Sequence, residues 1–423
     1  MPRLVYSFLF YVISPLVVLR HMWRSIREPL YRVRLRERFG FCAPVAGRPI
    51  WVHAVSAGET IAAAPLIRRL AADHVVVVTN MTATGRERAR TLLGDAVVHA
   101  YAPYDLPDGV GRFLDRVQPS VAVFIDTEVW PNMIALCARR GIPVGLVNAR
   151  LSARSAAGYA RAALLSRPMF AAVHAVGAQT HAHQDRFIAL GVAADRVVVT
   201  GSIKFDMALD EDAAAELTGT LPAGGPVFMA GSTHAGEEEA AVLQAFVSAR
   251  QSLPGLRMIL VPRHPWRFDG AAQACADLGL KVVRRSTGVA ADATTDVFLV
   301  DTMGELRAFY SLCDFAFVGG SIAPEGGHNP LEAAAWSVPV MMGPHLHDIE
   351  DIAERFREEG ALRVVAGAED LAGQLTDWAE DAGARTAAGE RARALFDDSQ
   401  GATDRSVDLV LEAAAAGRAR SPA

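Results

Sequence analysis

PIWVHAVSAGETIAAAPLIRRL, residues 49–70, holds the pattern on which the fold turns. An apolar, β-branched run stops at Ser56. A small residue, Gly58, Glu59 and Thr60 follow, and then a helix-forming Ala/Leu/Ile segment. This predicts a buried strand feeding a helix through a tight turn. Glu59 has two readings. A carboxylate in the first turn complements the helix dipole, worth about 0.3–1 kcal/mol. Alternatively it takes a proton. A helix N-terminus stabilises the carboxylate and weakens it as a base, so partial burial would have to offset that.

The same alternation continues on either side of this stretch. HVVVVTN, AVVHAY, SVAVFID, IPVGLVN, AVHAVGAQ and RVVVTGS are strand candidates separated by helix-like segments. DEDAAAELTGTLPAGGP, residues 210–226, is acidic, then Ala/Thr/Gly/Pro-rich, and reads as a connector. PVFMAGS, RMILVP, KVVRR, DVFLVD, FAFVGGS, VPVMMG and LRVVAG then resume the pattern. Near-continuous apolar strands between helices mean parallel sheets covered on both faces. The expected class is α/β, with two doubly wound Rossmann-like domains facing a central cleft. The expected boundaries are 1–38 for an N-terminal anchor and basic flank, 39–207 for the first domain and 208–226 for a linker. Residues 227–415 form the second domain and 416–423 a disordered tail.

The chain has 423 residues, 51% of them hydrophobic, enough for two cores. A net charge of −5 leaves no footprint for nucleic acid. Cys42, Cys137, Cys275 and Cys313 are widely spaced and read as reduced thiols, not as a disulfide frame or zinc site. Of 42 basic residues only Lys204 and Lys281 are lysine. Lys281 reads as a strand edge. Lys204, in GSIKFD, suits a place that needs a compact point charge.

Leu4 to Leu19 carries no charge. As a helix it would reach about 24 Å, short of the roughly 30 Å of a hydrocarbon core. Pro15 would bend it. Seven arginines (20, 24, 27, 32, 34, 36 and 38) follow against Glu28 and Glu37. This reads as an uncleaved anchor on an anionic membrane surface, with the remainder in the cytoplasm. The alternative is a buried amphipathic helix. Depth of insertion is left open.

In doubly wound sheets, ligands bind beyond the carboxyl ends of the strands. Neither a P-loop nor a GxGxxG follows the first strand, which argues against a kinase or a dehydrogenase. In GGHNPLE, Asn329 reads as an N-cap, Pro330 as the first helical residue and Glu332 as the third. Gly326 and Gly327 would admit a ligand to the backbone, and the helix start would favour an anion such as a phosphate. Arg263 and His264, pinned between prolines, read as partners of an anion. Ser232 and Thr233 offer hydroxyls at another strand end. Glu237, Glu238 and Glu239 read as a solvated first turn. Asp126 and Glu128, beside Trp130, either orient sugar hydroxyls or cap the next helix.

Taken in order, HAVSAGE, TNMTATGRERA, YAPYD, DTEVWPN, NARLS, GSIKFD, GSTHAGEE, PRHP, DTMGEL, FVGGS and GGHNPLEAA resemble the 3-deoxy-D-manno-octulosonic acid (Kdo) transferases, from about residue 30 to 350. The resemblance implies a GT-B fold and inverting transfer of Kdo from CMP-Kdo to a lipid A precursor (lipid IVA) at the cytoplasmic face of the inner membrane. It implies no cofactor and no required metal. It puts the general base on Glu59 and acceptor positioning on Glu128, with Lys204 near a donor or acceptor anion. Donor contacts fall on Ser232, Arg263, His264, Gly304, Glu305, Gly327, Asn329 and Glu332. Alanine in SAGE, aspartate in DTE and LHDIED after GPH depart from the family pattern and bear on the acceptor. The rival readings are another GT-B enzyme (a nucleotide-sugar 2-epimerase or a UDP-sugar transferase) and a catalytically silent, membrane-docked binding module.

Overall fold

Fourteen apolar runs become fourteen strands. In the computed structural model, which describes residues 2–24, 34–207, 209 and 211–419, they form two seven-stranded sheets, parallel throughout. The first contains β1 (Ile50–His53), β2 (Val76–Asn80), β3 (Val98–Tyr101), β4 (Val121–Ile125), β5 (Val144–Ala149), β6 (Ala175–Ala178) and β7 (Val197–Val199). Its order is β3-β2-β1-β4-β5-β6-β7. The second contains β8 (Val227–Thr233), β9 (Arg257–Pro262), β10 (Val282–Arg284), β11 (Val297–Leu299), β12 (Phe315–Val318), β13 (Val340–Met342) and β14 (Leu362–Val364). Its order is β10-β11-β9-β8-β12-β13-β14.

Side-chain alternation explains the apolar runs. In β1, Ile50 and Val52 enter one core while Trp51 enters the core on the opposite face. Both faces are covered, so every position must be apolar or internally satisfied, and each fully buried Val or Ile contributes about 1.5–3 kcal/mol. The two polar side chains of β1 meet one hydroxyl, with His53 Nε2 left without a hydrogen-bond partner among the described residues. The indole of Trp51 donates to Thr79 Oγ1 at 2.8 Å, and His53 Nδ1 meets the same oxygen at 2.9 Å. Complete burial pulls the His53 pKa down to about 4, so the ring is neutral.

The chain divides into two compact units, Met1–Met207 together with Ser399–Ala423, and Ala208–Asp398. This corrects two expected boundaries. The final helix, Ala402–Ala419, belongs to the first unit, not to a second domain reaching 415, and helical structure covers 416–419 of the expected tail. The physical reason is its apolar stripe. Val410, Ala413 and Ala414 are buried in the same core as Leu66 and Ile67. Asp206 caps its start, accepting from Gly401 N at 3.0 Å and Thr403 N at 2.6 Å. Gly417 is needed for that close fit, because a Cβ there would stand 2.3 Å from the Ser120 carbonyl. The expected linker is also more ordered than its composition suggests. It contains the helix Glu211–Glu216, Leu217 is buried, and Ala291 N donates to Thr220 O at 2.8 Å.

The N-terminal helix runs Pro2–Arg24, 23 residues with Pro15 inside, longer than the uncharged run because Arg20–Arg24 continue it. It is long and apolar enough to cross a membrane. Arg27 and Arg32 of the basic flank, and residues 420–423 of the tail, lie outside the described residues. The four cysteines are free, with Cys42, Cys137 and Cys275 buried and Cys313 half-buried.

Candidate active site

Both sheets reverse their strand order beside their first strand, at β1/β4 and at β8/β12. Such reversals open a crevice at the carboxyl ends of the strands, where ligands bind in this class of fold. Glu59 follows β1, while Asp126 and Glu128 follow β4, so all three acids rise from the first unit's reversal point.

The local sequence builds Glu59's position. Ser56 caps the helix Ala57–Asp73, with Oγ accepting from Glu59 N at 3.4 Å. The Glu59 carboxylate folds back over the turn. Oε2 accepts from Val55 N at 2.6 Å and Oε1 from Ser56 Oγ at 3.2 Å. This is capping-box chemistry, shifted by one residue. The helix-start reading is therefore right, and the proton-accepting reading survives beside it. Burial raises the Glu59 pKa above the ordinary carboxylate value. The Val55 N–H opposes this, and the charges of Glu128 and Asp126 add to the rise. Glu128 is itself raised by burial, with the Asp126 charge contributing and Trp130 opposing.

Asp126 sits at φ 60, an uncommon value for a non-glycine residue. Its side chain is held on two sides. The Asn148 amide donates to Oδ1, and Lys204 Nζ stands 3.4 Å from Oδ2. Asn148 Oδ1 accepts in turn from Ser202 Oγ at 3.2 Å and Ile203 N at 3.1 Å. Lys204, Asp126 and Asn148 thus link the ends of β4 and β5 with the loop after β7.

In the second unit, His234 follows β8, Arg263 and His264 follow β9, and Gly319–Ser321 follow β12. His234 Nε2 lies 2.8 Å from His328 Nε2, with the rings stacked. His264 meets His234 edge-on and stacks on Trp266. Burial, with the Arg263 charge next, lowers His328 to about 4, so neutral His328 shares one hydrogen bond with His234. The Arg263 guanidinium is exposed and makes no hydrogen bond or ion pair with the described residues, which leaves its fork available to an anion.

Two expectations fail in this unit. Glu238 and Glu239 are buried, not a solvated turn. Glu238 Oε1 accepts from His234 N and Gly320 N at 2.9 Å each. Its Oε2 accepts from Ser321 N at 2.9 Å and Ile322 N at 3.0 Å. One carboxylate therefore ties the β8 and β12 loops together, while Glu239 pairs with Arg267 at 2.5 Å. The helix after GGHNP is a single turn, Leu331–Ala334, beginning one residue later than expected, with Asn329 Oδ1 accepting from Leu331 N at 3.1 Å. One turn carries little dipole, so attraction for an anion must come from side chains. Glu332 does not complete a capping box. It is half-buried, and burial raises its pKa against the opposing charges of Arg307 and Arg263.

Nearly the whole of this sequence aligns with curated relatives. It is 36% identical to a 3-deoxy-D-manno-octulosonic acid transferase of Haemophilus influenzae over 96% of this chain and 98% of the relative. The chain belongs to the Kdo transferase family. A Kdo transferase of Bordetella pertussis is 38% identical over 97% of this chain and 99% of its own. The family model described as 3-Deoxy-D-manno-octulosonic-acid transferase (kdotransferase) matches residues 33–207. This Kdo transferase is therefore a glycosyltransferase. A UDP-GlcNAc 2-epimerase from Neisseria meningitidis, solved with UDP-GlcNAc, superposes with a TM-score of 0.57 at 14% identity, covering 86% of this chain and 99% of that one. At that identity the likeness shows the GT-B fold class alone.

In the first unit the Glu128 charge reaches Glu59, and Lys204 pairs with Asp126 beside them. In the second, Ser232 is buried inside β8, Arg263 and His264 follow β9, Gly327 and Asn329 lie in the loop after β12, and Glu332 stands in the single turn Leu331–Ala334. Gly304 and Glu305 follow β11, where Glu305 is clamped by Arg285 at 2.8 Å and accepts from Thr302. Among the described residues no group of His, Cys, Asp and Glu is arranged to hold a metal. Sequence reasoning missed Asn148, His234, His328 and Glu238. The two histidines stood inside the GSTH and GGHN motifs; the position of His234 directly after β8 was the available signal, while His328 lies in the longer loop after β12.

Proposed function

We propose that the chain transfers Kdo from CMP-Kdo to a lipid A precursor, lipid IVA, with inversion, at the cytoplasmic face of the inner membrane. Glu59 accepts the proton of the acceptor hydroxyl as that oxygen attacks the anomeric carbon. The bond to CMP breaks, and the leaving phosphate gathers charge that Arg263 and His264 stabilise. Glu128 and Lys204 orient the acceptor. Ser232, Gly304, Glu305, Gly327, Asn329 and Glu332 make up the rest of the donor site.

The reading rests on one observation. Glu59 is a half-buried carboxylate with a raised pKa, held by its own helix start and pushed further by Glu128 and Asp126. Burial supplies the basicity that the helix N-terminus would otherwise remove. Replacing it tests the assignment. Glu59→Gln keeps the shape and loses the proton acceptor, so transfer from CMP-Kdo should fall about 10²–10⁴-fold. CMP-Kdo binding, measured by calorimetry, should persist. Near-native transfer by that variant removes Glu59 from the mechanism.

A further inference from the structure

The N-terminal helix Pro2–Arg24 does not stand away from the first unit. It touches the helices Pro131–Arg139 and Ala163–Ala171 at a few positions on one side. Ser7 is buried and donates to Asn132 Oδ1 at 3.0 Å. Tyr11 donates to Asp108 Oδ1 at 2.5 Å, and Asp108 also pairs with Arg112 at 2.7 Å. The Tyr6 phenol and Arg3 face Asp105, a fully buried carboxylate that accepts from Asn132 N at 3.0 Å and Met133 N at 2.8 Å.

The other face is apolar and open. Leu4, Val5, Phe8, Leu9, Val12, Ile13, Leu16 and Leu19 are each about half exposed or more, led by Leu4 at 68%. At 100° per residue these positions fall on one half of the helix. The docked Arg3, Tyr6, Ser7, Phe10, Ser14 and Val17 fall on the other half. A lipid-spanning helix is apolar all round, or turns its polar side to other spanning segments. Here the polar side is satisfied by a water-soluble α/β unit. For the helix to cross a bilayer, either Asp105, Asp108, Arg112 and Asn132 enter the hydrocarbon with it, or these contacts break.

A basic patch adjoins it. The guanidiniums of Arg36, Arg112 and Arg116 surround the exposed Phe41 ring at 5.4, 4.8 and 5.9 Å from its centroid. Arg112 connects this patch to the helix through Asp108. Cations beside an apolar face match an anionic lipid surface.

We infer that this helix lies in the plane of one leaflet of an anionic membrane, docked on the first unit, and does not span it. This deepens the membrane reading given above, and its test is independent of Kdo transfer. Full-length chain in a Cys313→Ala background would carry Leu4→Cys, Val12→Cys or Leu19→Cys, each labelled with an environment-sensitive fluorophore. These would be added to vesicles of phosphatidylethanolamine and phosphatidylglycerol containing nitroxide lipids of graded depth. The expected result is one shared depth, roughly 5–10 Å below the headgroup boundary, for all three sites. Leu4 and Leu19 in opposite leaflets, with Val12 at the midplane, would overturn the inference. A second variant, Phe8→Glu with Leu16→Glu, should lose co-sedimentation with these vesicles while far-UV circular dichroism stays native. Retained binding by that variant, or a stable dimer formed through this face that does not bind vesicles, also refutes it.

Discussion

Removing the Glu238 carboxylate should unlock the loops that carry His234 and the glycines after β12. Four backbone N–H groups converge on it, from His234, Gly320, Ser321 and Ile322. Leaving one buried donor without a partner costs about 1–3 kcal/mol. Four donors at the low end of that range make Glu238→Ala about 4 kcal/mol destabilising to the second unit, because part of the loop can relax toward water. Glu238→Gln is the sharper test. Each carboxylate oxygen serves two donors, so an amide nitrogen in either place faces two N–H groups. The cost should be about half that of alanine. Hydrogen exchange followed by mass spectrometry would read it, with the amides of Gly320, Ser321 and Ile322 losing protection before the strands do. Protection within about 0.5 kcal/mol of native for Glu238→Gln, the range of an ordinary surface change, would refute this account of the loop.

Three further outcomes are expected. Kdo transfer should decline as pH falls through a Glu59 pKa raised above the ordinary carboxylate value, and Glu128→Gln should move that acid limb to lower pH, since the Glu128 charge raises Glu59; kcat/KM against pH checks both. Asp105 is raised from 3.8 to about 6 by burial, so its contribution to stability is full below the ordinary value and is lost as pH rises through about 6. Asp105→Asn should flatten that part of the stability–pH curve in urea titrations. Gly319→Ala places a Cβ 2.3 Å from the Ser232 carbonyl and should cost about 1–3 kcal/mol, measured by denaturant unfolding, with weakened CMP-Kdo binding because β8 and β12 separate.

The strands were legible because a parallel strand covered on both faces has to be apolar at every position, and a short window reveals that. The motifs were legible for a related reason: polar residues directly after such a run sit at a strand's carboxyl end, whatever the strand order. What a window cannot reveal is a partner distant in sequence. EEE after a glycine has the composition of a solvated helix start, yet three of the four donors to Glu238 lie 82 to 84 residues further on. The small apolar stripe of the helix Ala402–Ala419 names no partner in a short window; the Asp206 cap, the Arg69–Asp404 pair, Arg405 on the Thr200 carbonyl and the close fit of Gly417 on the Ser120 carbonyl tie it to the first unit. Glu59 lies between these cases. Its S-x-x-E spacing declared the cap, while the acids that raise its pKa arrive from the end of β4. The order β2-β1-β4 brings them there: the strand carrying Asp126 and Glu128 pairs directly with the strand that feeds Glu59. A carboxylate that caps a helix is ordinary. One that caps a helix at the strand reversal, beside two other acids, loses solvation and charge balance, and its pKa rises above the ordinary carboxylate value.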